Sequence, residues 1–144
     1  MTTRGRLLLV EDDPDDVMLL RQALEGARAP VELVVARDGL EALACLRRGG
    51  SSAASPALAL LDWRLPGKSG LEVLREIRAD AALRLLPVIV FTTSTSEKDV
   101  VDAYGAGANC YLTKPTGLDA MLALVSSLVD FWLRRARLPP APMC

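Results

Sequence analysis

Short apolar runs alternate along this chain with longer segments of helical periodicity. Leu7-Leu8-Leu9-Val10 stops at the acidic stretch Glu11-Asp12-Asp13-Pro14-Asp15-Asp16, after which Val17, Leu20 and Leu24 recur at helix spacing. Pro30 opens a second run, Val31 to Val35, and Asp38-Gly39 turns it into a helix carrying Leu40, Leu43, Ala44 and Leu46 that ends at Gly49-Gly50. A small-residue surface loop, Ser51 to Pro56, leads to a third run, Ala57 to Leu61, which ends in Asp62. Ser69 and Glu72 form a capping box for a third helix with Leu71, Leu74 and Ile77 on its apolar face. A fourth run, Pro87 to Phe91, passes through a Ser/Thr-rich loop into a helix opened at Ser96 and closed at Gly105-Ala106-Gly107. Cys110 to Thr113 is a short fifth strand, Lys114-Pro115 follows, and a last helix runs from about Gly117 to Arg137 before Pro139-Pro140 stops it.

Strands alternating with helices through short loops predict a parallel sheet covered on both faces. Right-handed crossovers make it a doubly wound α/β sandwich of five strands and five helices. Residues 1–138 read as one domain and 139–144 as a short disordered tail, with no further output domain.

In such a fold the carboxyl ends of the strands face one crevice, and here they carry Glu11, Asp12, Asp62, Thr92 and Lys114. Asp62 alone reads equally well as a turn or cap residue. Its neighbours shift that reading, because clustered carboxylates repel one another unless a cation joins them. An all-oxygen set suits Mg²⁺. Asp62 is then a candidate nucleophile toward a phosphoryl group, with Lys114 a point charge and Thr92 a hydroxyl donor for its oxygens. Asp13 and Pro14 read instead as helix cap and first helical position, and Asp15 and Asp16 as first-turn acids that favour the helix dipole.

Composition removes several alternatives. Of 144 residues none is histidine, which excludes Ser-His-Asp triads and histidine metal sites. The net charge of −1 provides no basic field for nucleic acid or anionic lipid. Cys45, Cys110 and Cys144 are far apart and form no CxxC pair, in keeping with a reduced cytoplasmic setting. No secretory signal or membrane span is expected.

Val10-Glu11-Asp12, Leu61-Asp62 with Leu65-Pro66 and Gly70, Phe91-Thr92, and Tyr111 with Lys114-Pro115 together resemble the receiver domains of two-component response regulators. The spacing agrees over roughly residues 6–130. The resemblance implies a flavodoxin-like sheet of order 2-1-3-4-5 and phosphorylation of Asp62 by a sensor histidine kinase. It implies Mg²⁺ held by Asp12, Asp62 and the Arg64 carbonyl, with Glu11 acting through water. Thr92 and Tyr111 would be the switch residues and Lys114–Pro115 a cis peptide. Such a protein is a signalling switch rather than an enzyme. The Val-Glu-Asp-Asp-Pro-Asp-Asp opening and the Asp130-Phe131-Trp132-Leu133 ending are similar to the small regulators that partner phytochromes.

Arg64 departs from the family pattern, placing a charged five-donor side chain two residues after Asp62, with Ser94 two after Thr92. Both flank the acceptor, and an altered dephosphorylation rate is expected from Arg64. The last helix is apolar nearly all round, with Leu122, Val125, Val129 and Trp132 as its expected core stripe. Met121, Leu124, Leu128, Phe131 and Trp132 are accordingly expected to form a homodimer surface. A flavodoxin-like FMN carrier is disfavoured by the acidic first loop. An aspartyl-nucleophile phosphatase is disfavoured by Arg64 at the place of its second Asp, and a degenerate receiver by the intact site set.

Overall fold

The structure, a computed structural model, describes residues 5–49 and 55–140. Strands β1 (Arg6–Val10), β2 (Glu32–Ala36), β3 (Pro56–Leu61), β4 (Val88–Thr92) and β5 (Cys110–Thr113) alternate with helices α1 (Pro14–Gly26), α2 (Gly39–Gly49), α3 (Gly70–Ala79), α4 (Glu97–Gly105) and α5 (Leu118–Leu128). The strands pair in parallel in the order β2-β1-β3-β4-β5. Most of the predicted loop from Ser51 to Pro56 lies outside the described residues, as do Cys144 and the end of the predicted tail.

Period-two alternation decides which layer each strand residue feeds. Leu8, Val10, Leu61, Val88 and Val90 point to the side of Leu43 and Leu46 on α2 and Val73, Leu74 and Ile77 on α3. Leu7, Leu9, Leu60, Ile89 and Phe91 point to the other side, against Leu20 and Leu24 of α1 and Met121, Val125 and Leu128 of α5. Because both faces are covered, the central strands are apolar throughout rather than alternating with polar residues, which is why they read as continuous runs.

Caps fix where the loops at the carboxyl edge begin and end. Asp13 Oδ1 accepts the Asp15 N–H at 2.9 Å, with Pro14 at the first helical position. The capping box of α3 forms as expected, Ser69 and Glu72 exchanging bonds of 3.1 and 3.2 Å. Ser96 caps α4 by accepting the Asp99 N–H at 3.4 Å.

The C-terminal helix differs from expectation in two ways. Beyond Leu128 it widens into a π-helical segment, Val129–Arg135, closed by the Ala136 N–H donating to the Phe131 carbonyl at 2.7 Å. Its inward stripe is Met121, Val125, Leu128, Val129 and Leu133 rather than the one built on Leu122 and Trp132. Met121 and Leu128, expected on a dimer surface, are therefore core residues at 2% and 4% exposure. Leu124 and Trp132 pack partly against the same core, and of the five only Phe131, 57% exposed, stands outside. A helix apolar around most of its circumference gives periodicity no means of choosing its inward face.

Candidate functional site

Strand register brings the candidate residues together. Val10 of β1 pairs with Leu61 of β3, so Glu11 and Asp62 leave the sheet side by side, the Asp62 N–H donating to the Val10 carbonyl at 3.1 Å. Thr92 pairs with Thr113, and the Lys114 N–H donates to the Thr92 carbonyl at 2.8 Å. Each chemical group thus sits at or one step past a strand end, at the edge where an open parallel sheet presents its crevice.

Lys114 is the centre of the charge arrangement. Its side chain is 5% exposed, and the ammonium bonds to Glu11 Oε1, to Asp16 Oδ2 at 2.9 Å and to Asp62 Oδ2 at 3.2 Å. Burial works against the charged ammonium, but the hydrogen bonds to Glu11 and Asp16 and the charges of Asp62 and Glu11 outweigh it and hold Lys114 above the usual lysine range. Burial pushes the Glu11 carboxyl up to about 7, the charge of Asp62 adding to the effect while Lys114 opposes it.

Glu11, Asp12 and Asp62 each offer a carboxylate oxygen within 4.8 Å of the others. Glu11 and Asp62 are buried and Asp12 is exposed, so the set is anchored on one side and open to solvent on the other. Hard oxygen donors with room for water fit a small divalent cation.

The loop after β3 is tightly seated. The Arg64 N–H donates to Asp62 Oδ1 at 3.2 Å, so both acceptor oxygens of Asp62 are engaged. A Cβ on Gly70 would lie 2.6 Å from the Asp62 carbonyl oxygen and 2.8 Å from Trp63 Cα, which is why glycine stands there. Thr92, 1% exposed, accepts the Ser94 N–H at 3.4 Å. Tyr111, half-buried, donates its hydroxyl to the Ser94 carbonyl at 2.9 Å.

The structure corrects one expectation and adds two residues. No described peptide bond is cis; Lys114–Pro115 is trans, the isomer that X–Pro bonds favour by about 0.5–1 kcal/mol, and Lys114 reaches the site in that form. Asp16, read as a helix-dipole acid, bonds to Lys114 instead. It stands on the first turn of a helix that begins at the site, and nothing in the sequence separates it there from a helix-dipole acid. Asp99, on the first turn of the helix opened at Ser96, receives both the Arg64 guanidinium at 3.1 Å and the Ser94 hydroxyl at 2.6 Å; nothing in the sequence pairs it with Arg64.

Comparison with known proteins agrees with this geometry. A sequence model described as response regulator receiver domain matches residues 7–126. The response regulator Rcp1 of Synechocystis sp. is 42% identical over 137 residues, covering 94% of this chain and 93% of its own. The crystal structure of the phosphorylated cyanobacterial phytochrome response regulator RcpA superposes with a TM-score of 0.86 at 42% identity, covering 94% of this chain and 99% of that one. The Mn²⁺-bound form of Rcp1 superposes with a TM-score of 0.84 at 41% identity, again over 94% and 99%.

Proposed function

The chain belongs to the response regulator receiver domain family, and from that premise we propose that Asp62 is its phosphoacceptor. The donor is a phosphorylated histidine of a sensor histidine kinase, the partner that membership of the receiver family implies. An Asp62 oxygen attacks phosphorus, the new O–P bond forms as the N–P bond breaks, and the imidazole leaves with the electron pair. The observation that carries this reading is the setting of Asp62. It is 8% exposed, at the end of the central strand, one oxygen toward Lys114 and the other toward the Arg64 N–H.

Asp12, Asp62 and the Arg64 carbonyl would hold Mg²⁺, with Glu11 acting through water. The bound ion supplies charge neutralisation for the phosphoryl oxygens. Lys114 orients one of those oxygens, and Thr92 donates to another after releasing the Ser94 N–H. Ser94 is also tied to Tyr111 through its carbonyl, so that movement reaches the face built by α4, β5 and α5. The protein is a cytoplasmic switch read out through that protein–protein face.

The likeness to phytochrome response regulators supports a phytochrome as the kinase. Phe131 and Leu118, at 57% and 48% exposure, support a homodimer formed around the fifth-helix region. A sedimentation profile that stays monomeric at tens of micromolar contradicts that dimer. The phosphoacceptor reading is tested by Mg²⁺-dependent labelling with acetyl phosphate, which Asp62→Asn should abolish.

A further inference from the structure

Arg64 lies on the loop after β3, two residues beyond Asp62, and Asp99 on the first turn of α4, the helix that follows β4 and Thr92. The guanidinium of Arg64 crosses from the loop after β3 to the first turn of α4, where its NH2 meets Asp99 Oδ2 at 3.1 Å. The anchor at the α4 end is fixed. The Asp99 side chain is 17% exposed, accepts the Ser94 hydroxyl at 2.6 Å, and stands on a turn capped by Ser96. At the other end the Arg64 N–H holds Asp62 Oδ1, so the bridge starts one hydrogen bond from the acceptor carboxylate.

We propose that Asp99 is a positioning residue: it holds Arg64 as a strap between the loop after β3 and the first turn of α4, and the strap slows attack of water on the phosphoryl group carried by Asp62. The inference rests on Asp62 as phosphoacceptor. Hydrolysis joins a water oxygen to phosphorus, breaks the Asp62 O–P bond, and returns Asp62 as carboxylate with inorganic phosphate. Water must come from the solvent side, because the opposite side is filled by the strand ends and Lys114. A guanidinium tethered at its tip to α4 occupies part of that approach, whereas an untethered arginine, whose side chain is already 69% exposed, spends most of its time in solvent. Ser94 sharing the same carboxylate oxygen keeps Asp99 aimed across the gap rather than outward.

The experiment loads the full chain with acetyl phosphate at saturating Mg²⁺, removes the donor, and follows decay of the label. Asp99→Ala should shorten the lifetime roughly two- to five-fold, the range open to one exposed ion pair. Asp99→Glu, which keeps the carboxylate, should retain most of it. In an Arg64→Ala background, Asp99→Ala should have no further effect, because the partner is already gone. Raising salt to about 1 M, where the Debye length is about 3 Å, should bring the parent lifetime down to that of Asp99→Ala and leave the variant unmoved. A parent that labels normally with a lifetime unchanged by Asp99→Ala overturns the strap alone. So does an equal loss in the Arg64→Ala background, which would mean Asp99 acts through Ser94. A parent that takes no label overturns the Asp62 assignment and the strap with it.

Discussion

Lys114 Nζ, from the end of β5, lies 3.2 Å from Asp62 Oδ2 at the end of β3, with β4 running between the two strands. One ammonium therefore connects the edge of the sheet to its centre, and serves Glu11 and Asp16 as well. Removing one partner of a buried charge set leaves uncompensated charge, a loss of about 3–5 kcal/mol when the pair is fully enclosed. Lys114→Met should accordingly destabilise the metal-free protein by about 3 kcal/mol in urea unfolding, and saturating Mg²⁺ should restore most of the loss. Equal stability of parent and variant in chelator would contradict this account of Lys114.

Glu11 gives the metal-free protein a pH dependence of definite sign. Its folded pKa of about 7 lies above the ordinary value of 4.5. The folded state therefore holds the proton more tightly, and Glu11's contribution is fully present below pH 4.5 and lost as pH rises through about 7. In chelator, Glu11→Gln cannot titrate and should gain melting temperature relative to the parent across that window, with a plateau above it. A difference that stays flat from pH 4.5 through 7 would remove the raised carboxyl from the account.

Gly70 should tolerate no side chain. The methyl of Gly70→Ala would fall 2.6 Å from the Asp62 carbonyl oxygen, backbone that cannot yield without moving Asp62 itself. Stability should drop by about 1–3 kcal/mol, and acetyl phosphate labelling should slow along with it. Gly67→Ala is the control, since its φ of +69° strains the backbone but no atom lies near the added carbon. That variant should lose stability alone.

Arg78 holds the sheet's other end together. Its guanidinium donates to the carbonyls of Gly107, Arg84 and Leu86 and to Asn109 Oδ1, at 2.7 to 3.0 Å. A lysine has three donors on one nitrogen and cannot span these acceptors. Arg78→Lys should cost about 2 kcal/mol in chemical denaturation while the rate of labelling at saturating Mg²⁺ stays at the parent value. A slower rate would tie this clamp to the site.

The central strands and their terminal residues were legible because both sheet faces are buried, so each strand appears as an unbroken apolar run that stops where the chain meets solvent. The acids, Thr92 and Lys114 stand at those stops, and the parallel register does the rest. Asp16 was missed because a helix-dipole acid and a lysine partner look alike in one dimension, and only the reach of Lys114 separates them. Asp99 of α4 carries no mark in the sequence because its partner, Arg64, lies 35 residues away in the loop after β3. The face of α5 was misassigned at Met121 and Leu128 because apolar residues surround the helix, and the widening after Leu128 rotates Phe131 outward and Leu133 inward in a way no period of 3.6 anticipates.

The most direct test of the central claim is to trap the labelled residue. Borohydride reduces an aspartyl phosphate to homoserine, which peptide mass mapping then locates. After loading with acetyl phosphate and Mg²⁺, homoserine should appear at position 62 and nowhere else, and not at all when Mg²⁺ is withheld. Homoserine at Asp12 or Asp16, or none in a protein that retains label, would contradict Asp62 as the phosphoacceptor.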